Sequence, residues 1–216
     1  MTEAADLVAA VAPVRQRLEA RHEAREQALA ASRDAIRAAA NAIRAVHRGE
    51  QERADDLLGE ARDHLARAVG VSDPHPEVRY AGFVADAAKE VAEAELTSAA
   101  IAGAPLPAPD DAGVDEVAWL HGLAETVGEL RRASLDRVRG GDLETGEHYL
   151  ALMQEILSAL ATIDVPDGLS RGLRRATDAA RAITERTRGD LTTAVGQRDL
   201  RLALEEHRAA LEQAQR

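Results

Sequence analysis

The sequence predicts an all-α fold, and three observations carry that prediction. Of its 216 residues, 45% are hydrophobic but only 2% aromatic, with alanine very frequent. Close-packed helices accept such small contact residues, whereas sheets favour β-branched and aromatic ones. Glycine and proline fall at intervals that cut the chain into helix-length segments. Strand-like alternation persists nowhere. A chain of this length and apolar content has a real core, so a single-domain bundle of six to seven antiparallel helices is expected.

The first helix is expected over 13–47, with Pro13 suited to its first turn and Gly49 to its cap. A second spans 50–69 and stops at Gly70. Ser72-Asp73-Pro74 reads as the capped start of a third helix lasting to about residue 101. Between Gly103 and Gly113, Pro105, Pro107 and Pro109 mark the one clear loop. A fourth helix covers 114–139 and ends at Gly140-Gly141. Asp142 is placed to cap a fifth, over 143–163. Pro166-Asp167-Gly168 breaks the chain before a basic sixth helix to about residue 188, and a charged final helix is expected over 197–215.

Several function classes are excluded at once. With no cysteine there is no disulfide, thiolate metal site or cysteine nucleophile. No stretch approaches the roughly 18 apolar residues of a membrane span. The start MTEAADLVAA is acidic and lacks the basic and apolar regions of a leader, so a cytoplasmic protein is expected. Phosphate-binding, dinucleotide and nucleophile-elbow motifs are missing. Glu19-Ala-Arg-His22 is a lone Glu-x-x-His, short of what a di-iron bundle requires. The net charge of -11 argues against nucleic acid globally. Yet Lys89 is the only lysine, a bias that fits a GC-rich genome, so local charge has to identify partners.

Two local patterns stand out. Glu90-Val-Ala-Glu93 and Glu125-Thr-Val-Gly128-Glu129 each place two carboxylates on one face of a helix. If the two helices pack with these faces together, four carboxylates form a hard, all-oxygen site suited to Mg²⁺ or Mn²⁺. The alternative is a solvated acidic face, since the pairs avoid the apolar stripes Tyr80-Val84-Ala87-Val91-Ala94 and Leu120-Leu123-Val127-Leu130-Val138. On the first helix Arg33, Arg37, Arg44 and Arg48 form a narrow stripe, and residues 35–49 contain no acid. Phosphate contact is one use of such a stripe; covering neighbouring helices with arginine stems is the other. A second basic block over 169–188 spreads its arginines around the helix.

These motifs resemble the translin superfamily, and within it the branch of translin-associated factor X. Ser32-Arg33-Asp34 and His47-Arg48 are similar to the first-helix pattern of that family. Glu90-Val-Ala-Glu93-Ala94 matches the Glu-x-x-Glu-Ala of the factor X branch. Glu125-Thr-Val-Gly128-Glu129-Leu130 matches its acid-x-x-Gly-Glu-Leu, with glutamate for the usual aspartate. Gly140-Gly141-Asp142 and Thr187-Arg188-Gly189 fit later landmarks. The resemblance covers about residues 25–189. It implies a translin-like domain over 1–189, with 190–216 a charged helical extension that has no counterpart in the family. It further implies a homo-oligomer, usually octameric and closed, that holds RNA or single-stranded DNA.

In the factor X branch the activity implied is a metal-dependent endoribonuclease. By position, Glu90, Glu93, Glu125 and Glu129 are then the catalytic and Mg²⁺- or Mn²⁺-binding carboxylates, and Arg33, Arg37, Arg44 and Arg48 the nucleic-acid contacts. Glu90 is the expected proton acceptor. With so few aromatics to stack bases, base-sequence specificity is expected to be poor; Tyr80 and Phe83 are assigned to core packing rather than to base contact. Two other readings remain: a non-catalytic nucleic-acid-binding scaffold of the same fold, and an all-α nucleotide pyrophosphohydrolase. The latter normally carries Glu-x-x-Asp where this chain has Glu-x-x-x-Glu.

Overall fold

The computed structural model describes residues 2–214, and among them every regular element is helical. In order these are α1 (Thr2–His47), α2 (Gln51–Ser72), α3 (Pro76–Arg79), α4 (Gly82–Ala102), α5 (Pro109–Ala112), α6 (Glu116–Arg139), α7 (Leu143–Leu160), α8 (Asp167–Ser170) and α9 (Leu173–Ala214). Three of them, α3, α5 and α8, are single turns of 4 residues. The six long helices agree with the all-α fold and the six to seven helices that the sequence predicts. None of the described helices is long and apolar enough to cross a membrane.

The chain clusters into two compact units divided inside α6, after Gly122. In the first, α1 packs along α2 and α4, and α2 touches α4. Its core is lined largely by alanine: Ala35, Ala39 and Ala42 of α1, Ala54 and Ala61 of α2, and Ala87 and Ala94 of α4 are all fully buried. Alanine loses no side-chain entropy in a helix and lets backbones approach closely, so composition and architecture have one cause. Trp119, near the start of α6, donates its indole N–H to the Pro107 carbonyl at 2.9 Å and ties down the proline-rich connection.

In the second unit α7 packs on α9. Leu173, Thr177, Ala180, Thr184, Thr187 and Leu191 form the buried stripe of α9. Its threonine hydroxyls donate to carbonyls one turn back, Thr177 to Leu173, Thr184 to Ala180 and Thr187 to Ile183, each at 2.9 Å. This is how a stripe half made of threonine stays free of unsatisfied polar atoms. Arg131 on α6 reaches Thr187 at 2.9 Å and Asp190 at 2.8 Å.

Helix boundaries depart from the sequence reading in five places. Pro13 lies well inside α1 rather than in its first turn; the alanine-rich residues before it continue the helix despite the missing N–H. Gly70 does not stop α2, which ends at Ser72. Ser72 is therefore no N-cap; its hydroxyl donates back to the Ala68 carbonyl at 2.8 Å. Tyr80 terminates α3 and is 73% exposed, with the Arg79 guanidinium 5.9 Å from its ring centre, so it is not in the core stripe. Finally, the expected break between the sixth and final helices is absent. Gly189 and Gly196 sit within α9, which runs unbroken across residue 190; Gln215 lies outside the described residues. By contrast Asp142 caps α7 as expected, accepting the Thr145 N–H at 3.0 Å.

Candidate functional site

Helix α4 buries Val84, Ala87, Val91 and Ala94 completely, which leaves Glu90 and Glu93 half-buried at the edges of that stripe. Lys89 Nζ stands 3.2 Å from the Glu90 carboxylate. Glu95, one step round the helix, is occupied elsewhere: it pairs with Arg62 of α2. Burial pushes the Glu95 carboxyl above its ordinary value while the arginine pulls it back.

What brings a second acidic helix here is a glycine. The first turns of α6 lie so close to α4 that a Cβ on Gly122 would stand 2.7 Å from the Ala92 Cβ and 2.8 Å from the Glu93 backbone nitrogen. No side chain fits in that gap. Glu125 follows on the next turn of the same helix. One carboxylate oxygen from each of Glu90, Glu93 and Glu125 lies within 4.8 Å of the others. Glu129 is not in that group; it sits one further turn along α6, with Arg132 3.8 Å away.

The structure thus gathers three of the four acids that the sequence singles out. Oxygens on opposite sides of one Mg²⁺ stand about 4.2 Å apart, twice a ligand distance of about 2.1 Å. The three oxygens lie within 4.8 Å of one another, close to that span. The donor set is all carboxylate, which suits Mg²⁺ or Mn²⁺ rather than a soft metal. Gly122 was not legible as part of this site. The sequence pattern draws attention to Gly128 instead, yet a Cβ on Gly128 meets nothing within 4 Å.

Arg33, Arg37 and Arg44 on α1, and Arg48 in the turn just after it, are all exposed, but they are not all unpaired. Arg37 bonds Asp34 at 2.5 Å, and Arg48 bonds Glu50 at 2.6 and 2.8 Å. Both partners sit just outside the acid-free stretch. Arg44 bonds only the neutral Asn41 side chain, at 3.0 Å, and Arg33 has no ion-pair partner among the described residues. Arg67 of α2 approaches Asp34 at 3.6 Å and extends the basic surface; only the packing of α2 on α1 brings it there. Among the described residues, Arg33 and Arg44 are the two cations of the stripe whose charge no carboxylate offsets.

No protein-family model matches the sequence. Among solved structures, the chain is similar to AfC3PO in a complex with duplex RNA, at 34% identity. That match covers 86% of this chain and 96% of AfC3PO, with a TM-score of 0.80. The chain belongs to the translin family. A crystal structure of AfC3PO matches equally well, at 33% identity over 86% of this chain and 97% of that one, TM-score 0.78. Apo-NeC3PO shares the translin fold at 18% identity, covering 84% and 95% of the two chains with a TM-score of 0.77. A further relative, the uncharacterized protein MJ0175 of Methanocaldococcus jannaschii, is 27% identical over 191 residues, 88% of this chain and 84% of that protein.

Proposed function

We propose that this translin-family protein binds RNA through the sugar-phosphate backbone and cleaves it as a divalent-metal-dependent endoribonuclease. The observation that carries the reading is the meeting of Glu90, Glu93 and Glu125 within 4.8 Å. Support for the substrate comes from AfC3PO, which has been solved with duplex RNA.

In this reading Glu90, Glu93 and Glu125 hold one Mg²⁺ or Mn²⁺. When bound, such an ion supplies charge neutralisation at a scissile phosphate and a water of lowered pKa. The protein's own groups do the rest. Glu129, outside the group of three, takes over from Glu90 as the carboxylate that accepts the proton. Its neighbour Arg132, 3.8 Å away, steadies its position on α6. Arg33 and Arg44 grip phosphates, and with only 2% aromatic residues to stack bases, cleavage is indifferent to base sequence. The protein works as a cytoplasmic homo-oligomer, with an octamer the expected size.

The test is cleavage of a labelled RNA of mixed single- and double-stranded character in Mg²⁺, Mn²⁺ or EDTA, with a gel shift on the same samples. Wild type is expected to cut only with metal, and Glu125→Ala to shift the RNA without cutting it. A shift with no cutting under any metal would leave a binding scaffold and reject the nuclease. Neither shift nor cutting would reject the nucleic-acid reading altogether.

A further inference from the structure

The short helix α3 ends on an aromatic ring that the fold does not use. Among the aromatic side chains Tyr149 is buried and Phe83 and Trp119 are half-buried, whereas Tyr80 is 73% exposed. Its backbone is pinned all the same. Pro76 opens the turn, Val78 is buried, and the Tyr80 N–H donates to the Pro76 carbonyl at 2.9 Å. The ring therefore stands on a fixed mount, and little freedom is lost when something lies against it. Its hydroxyl bonds to none of the described residues.

The surroundings select what lies there. On either side of Tyr80, Val78 and Ala81 line a groove of about 280 Å³, whose other wall is Leu18, Arg21, His22 and Arg25 of α1. Arg21 is offset by Glu77 and Arg25 by Glu26. Glu19 and Glu23 lie on the flank of α1 away from the groove, engaged by Arg15 and Gln27. The Arg79 guanidinium, 5.9 Å from the Tyr80 ring centre, has no carboxylate partner among the described residues. Of Arg21, Arg25 and Arg79 it is the one whose charge is not balanced. A flat ring beside an unbalanced guanidinium matches a nucleotide, base on the ring and phosphate on the arginine. The groove is near the small end of ligand sites, about 300 Å³, so it suits one such unit rather than a broad protein partner, which needs about 800 Å² on each side. A base inside a duplex is already stacked on its neighbours, so the ring is open only to an unpaired one.

We propose that Tyr80 is a stacking platform for one unpaired nucleotide of the bound RNA, with Arg79 holding its phosphate. This rests on the RNA-binding reading above and adds a preference to it. RNA with a single-stranded end or bulge binds better than a blunt duplex, without a choice among bases, because every base has a face to stack. The test compares one RNA duplex in two forms, blunt and with a short single-stranded extension carrying 2-aminopurine, bound to the full-length protein in EDTA. Wild type is expected to bind the extended form more tightly and to quench the 2-aminopurine, whatever the variants do. Tyr80→Ala is expected to abolish the quenching and weaken binding of the extended RNA by about five- to 100-fold, leaving the blunt duplex unaffected. Tyr80→Phe, which keeps the ring, should retain both, and Arg79→Ala should weaken the extended form and lower its salt dependence. Equal losses on both RNAs, no loss on either, or quenching that survives in Tyr80→Ala would overturn the proposal and leave the RNA-binding reading standing. A change in the sedimentation of Tyr80→Ala without RNA would overturn it too, by assigning the ring to a contact between protein chains. Failure of the wild type to bind either RNA would reject both readings.

Discussion

Gly122→Ala puts a methyl group where α4 and α6 leave no room for one. The new Cβ would lie 2.7 Å from the Ala92 Cβ, against an ordinary carbon–carbon separation of about 3.5–4.0 Å. The overlap is about 1 Å, and the nearest atoms are an alanine Cβ and backbone atoms rather than the end of a flexible side chain. Either the helices move apart by about that much, or the strain is retained; overpacking of this kind costs about 1–3 kcal/mol. At about 2–4 °C per kcal/mol for a chain of this size, the expected fall in Tm is about 2–12 °C. Separation also carries Glu125 away from Glu90 and Glu93, beyond the roughly 4.2 Å that one Mg²⁺ spans. Thermal unfolding and calorimetric titration with Mn²⁺ measure the two effects, and Mn²⁺ affinity should fall about tenfold or more as ligands are lost. Gly128→Ala is the control. It has open space around it and should stabilise by about 0.5–1 kcal/mol, as helical glycine to alanine does. If Gly122→Ala unfolds at the wild-type temperature and binds Mn²⁺ as well, the glycine does not set the distance between these helices, and the reasoning fails.

Three further outcomes are expected. In RNA binding measured from low to moderate salt, Arg33→Ala and Arg44→Ala should each lower the slope of log K against log salt by about 0.7–0.9, one phosphate contact apiece. Arg37→Ala and Arg48→Ala should lower it less, because Asp34 and Glu50 already offset those charges; equal losses at all four positions would contradict this ordering. Burial raises the Glu95 carboxyl above its ordinary value, so the folded state holds that proton more tightly than the unfolded chain. The associated stability is present at low pH and is lost as pH rises through the folded value. Glu95→Gln should therefore melt at or above wild type at pH 7 and lose that advantage on acidification; a lower Tm at pH 7 would reverse the sign. Asp142 is the opposite case, held below its ordinary value by the Thr145 hydroxyl and N–H. Asp142→Ala should lower the Tm at neutral pH, with the deficit shrinking only as pH falls below the usual carboxylate range.

Fold class was legible because alanine, glycine and proline act locally. Composition selects helices, and Asp142 or the Pro105–Pro109 run marks a boundary whatever the rest of the chain does. Errors arose where a tertiary contact or a neighbouring turn overrode the punctuation. Gly70 reads as a stop until α2 is seen to continue to Ser72, and Gly189 reads as a close until the threonine stripe of α9 carries the helix past it. The carboxylates Glu90, Glu93 and Glu125 were legible as pairs on helix faces. Their convergence was not, because it depends on how closely two backbones approach, and a glycine that allows this looks the same in sequence as one that does nothing. The ion pairs within the arginine stripe were not legible for a related reason. Spacing finds the cations, but Asp34 and Glu50 lie just outside the window and fold back onto Arg37 and Arg48.

Trp119 is the chain's single tryptophan, and its indole N–H is tethered to the Pro107 carbonyl. It stands three residues before Gly122 and six before Glu125. Its emission therefore arises from one place, at the junction of the proline-rich connection and the acidic helix. Excited near 295 nm, the unlabelled protein carries its own optical probe of this junction. A shift in wavelength on adding a divalent ion, or during refolding, would report that α6 is seating against α4 without any fluorophore being attached.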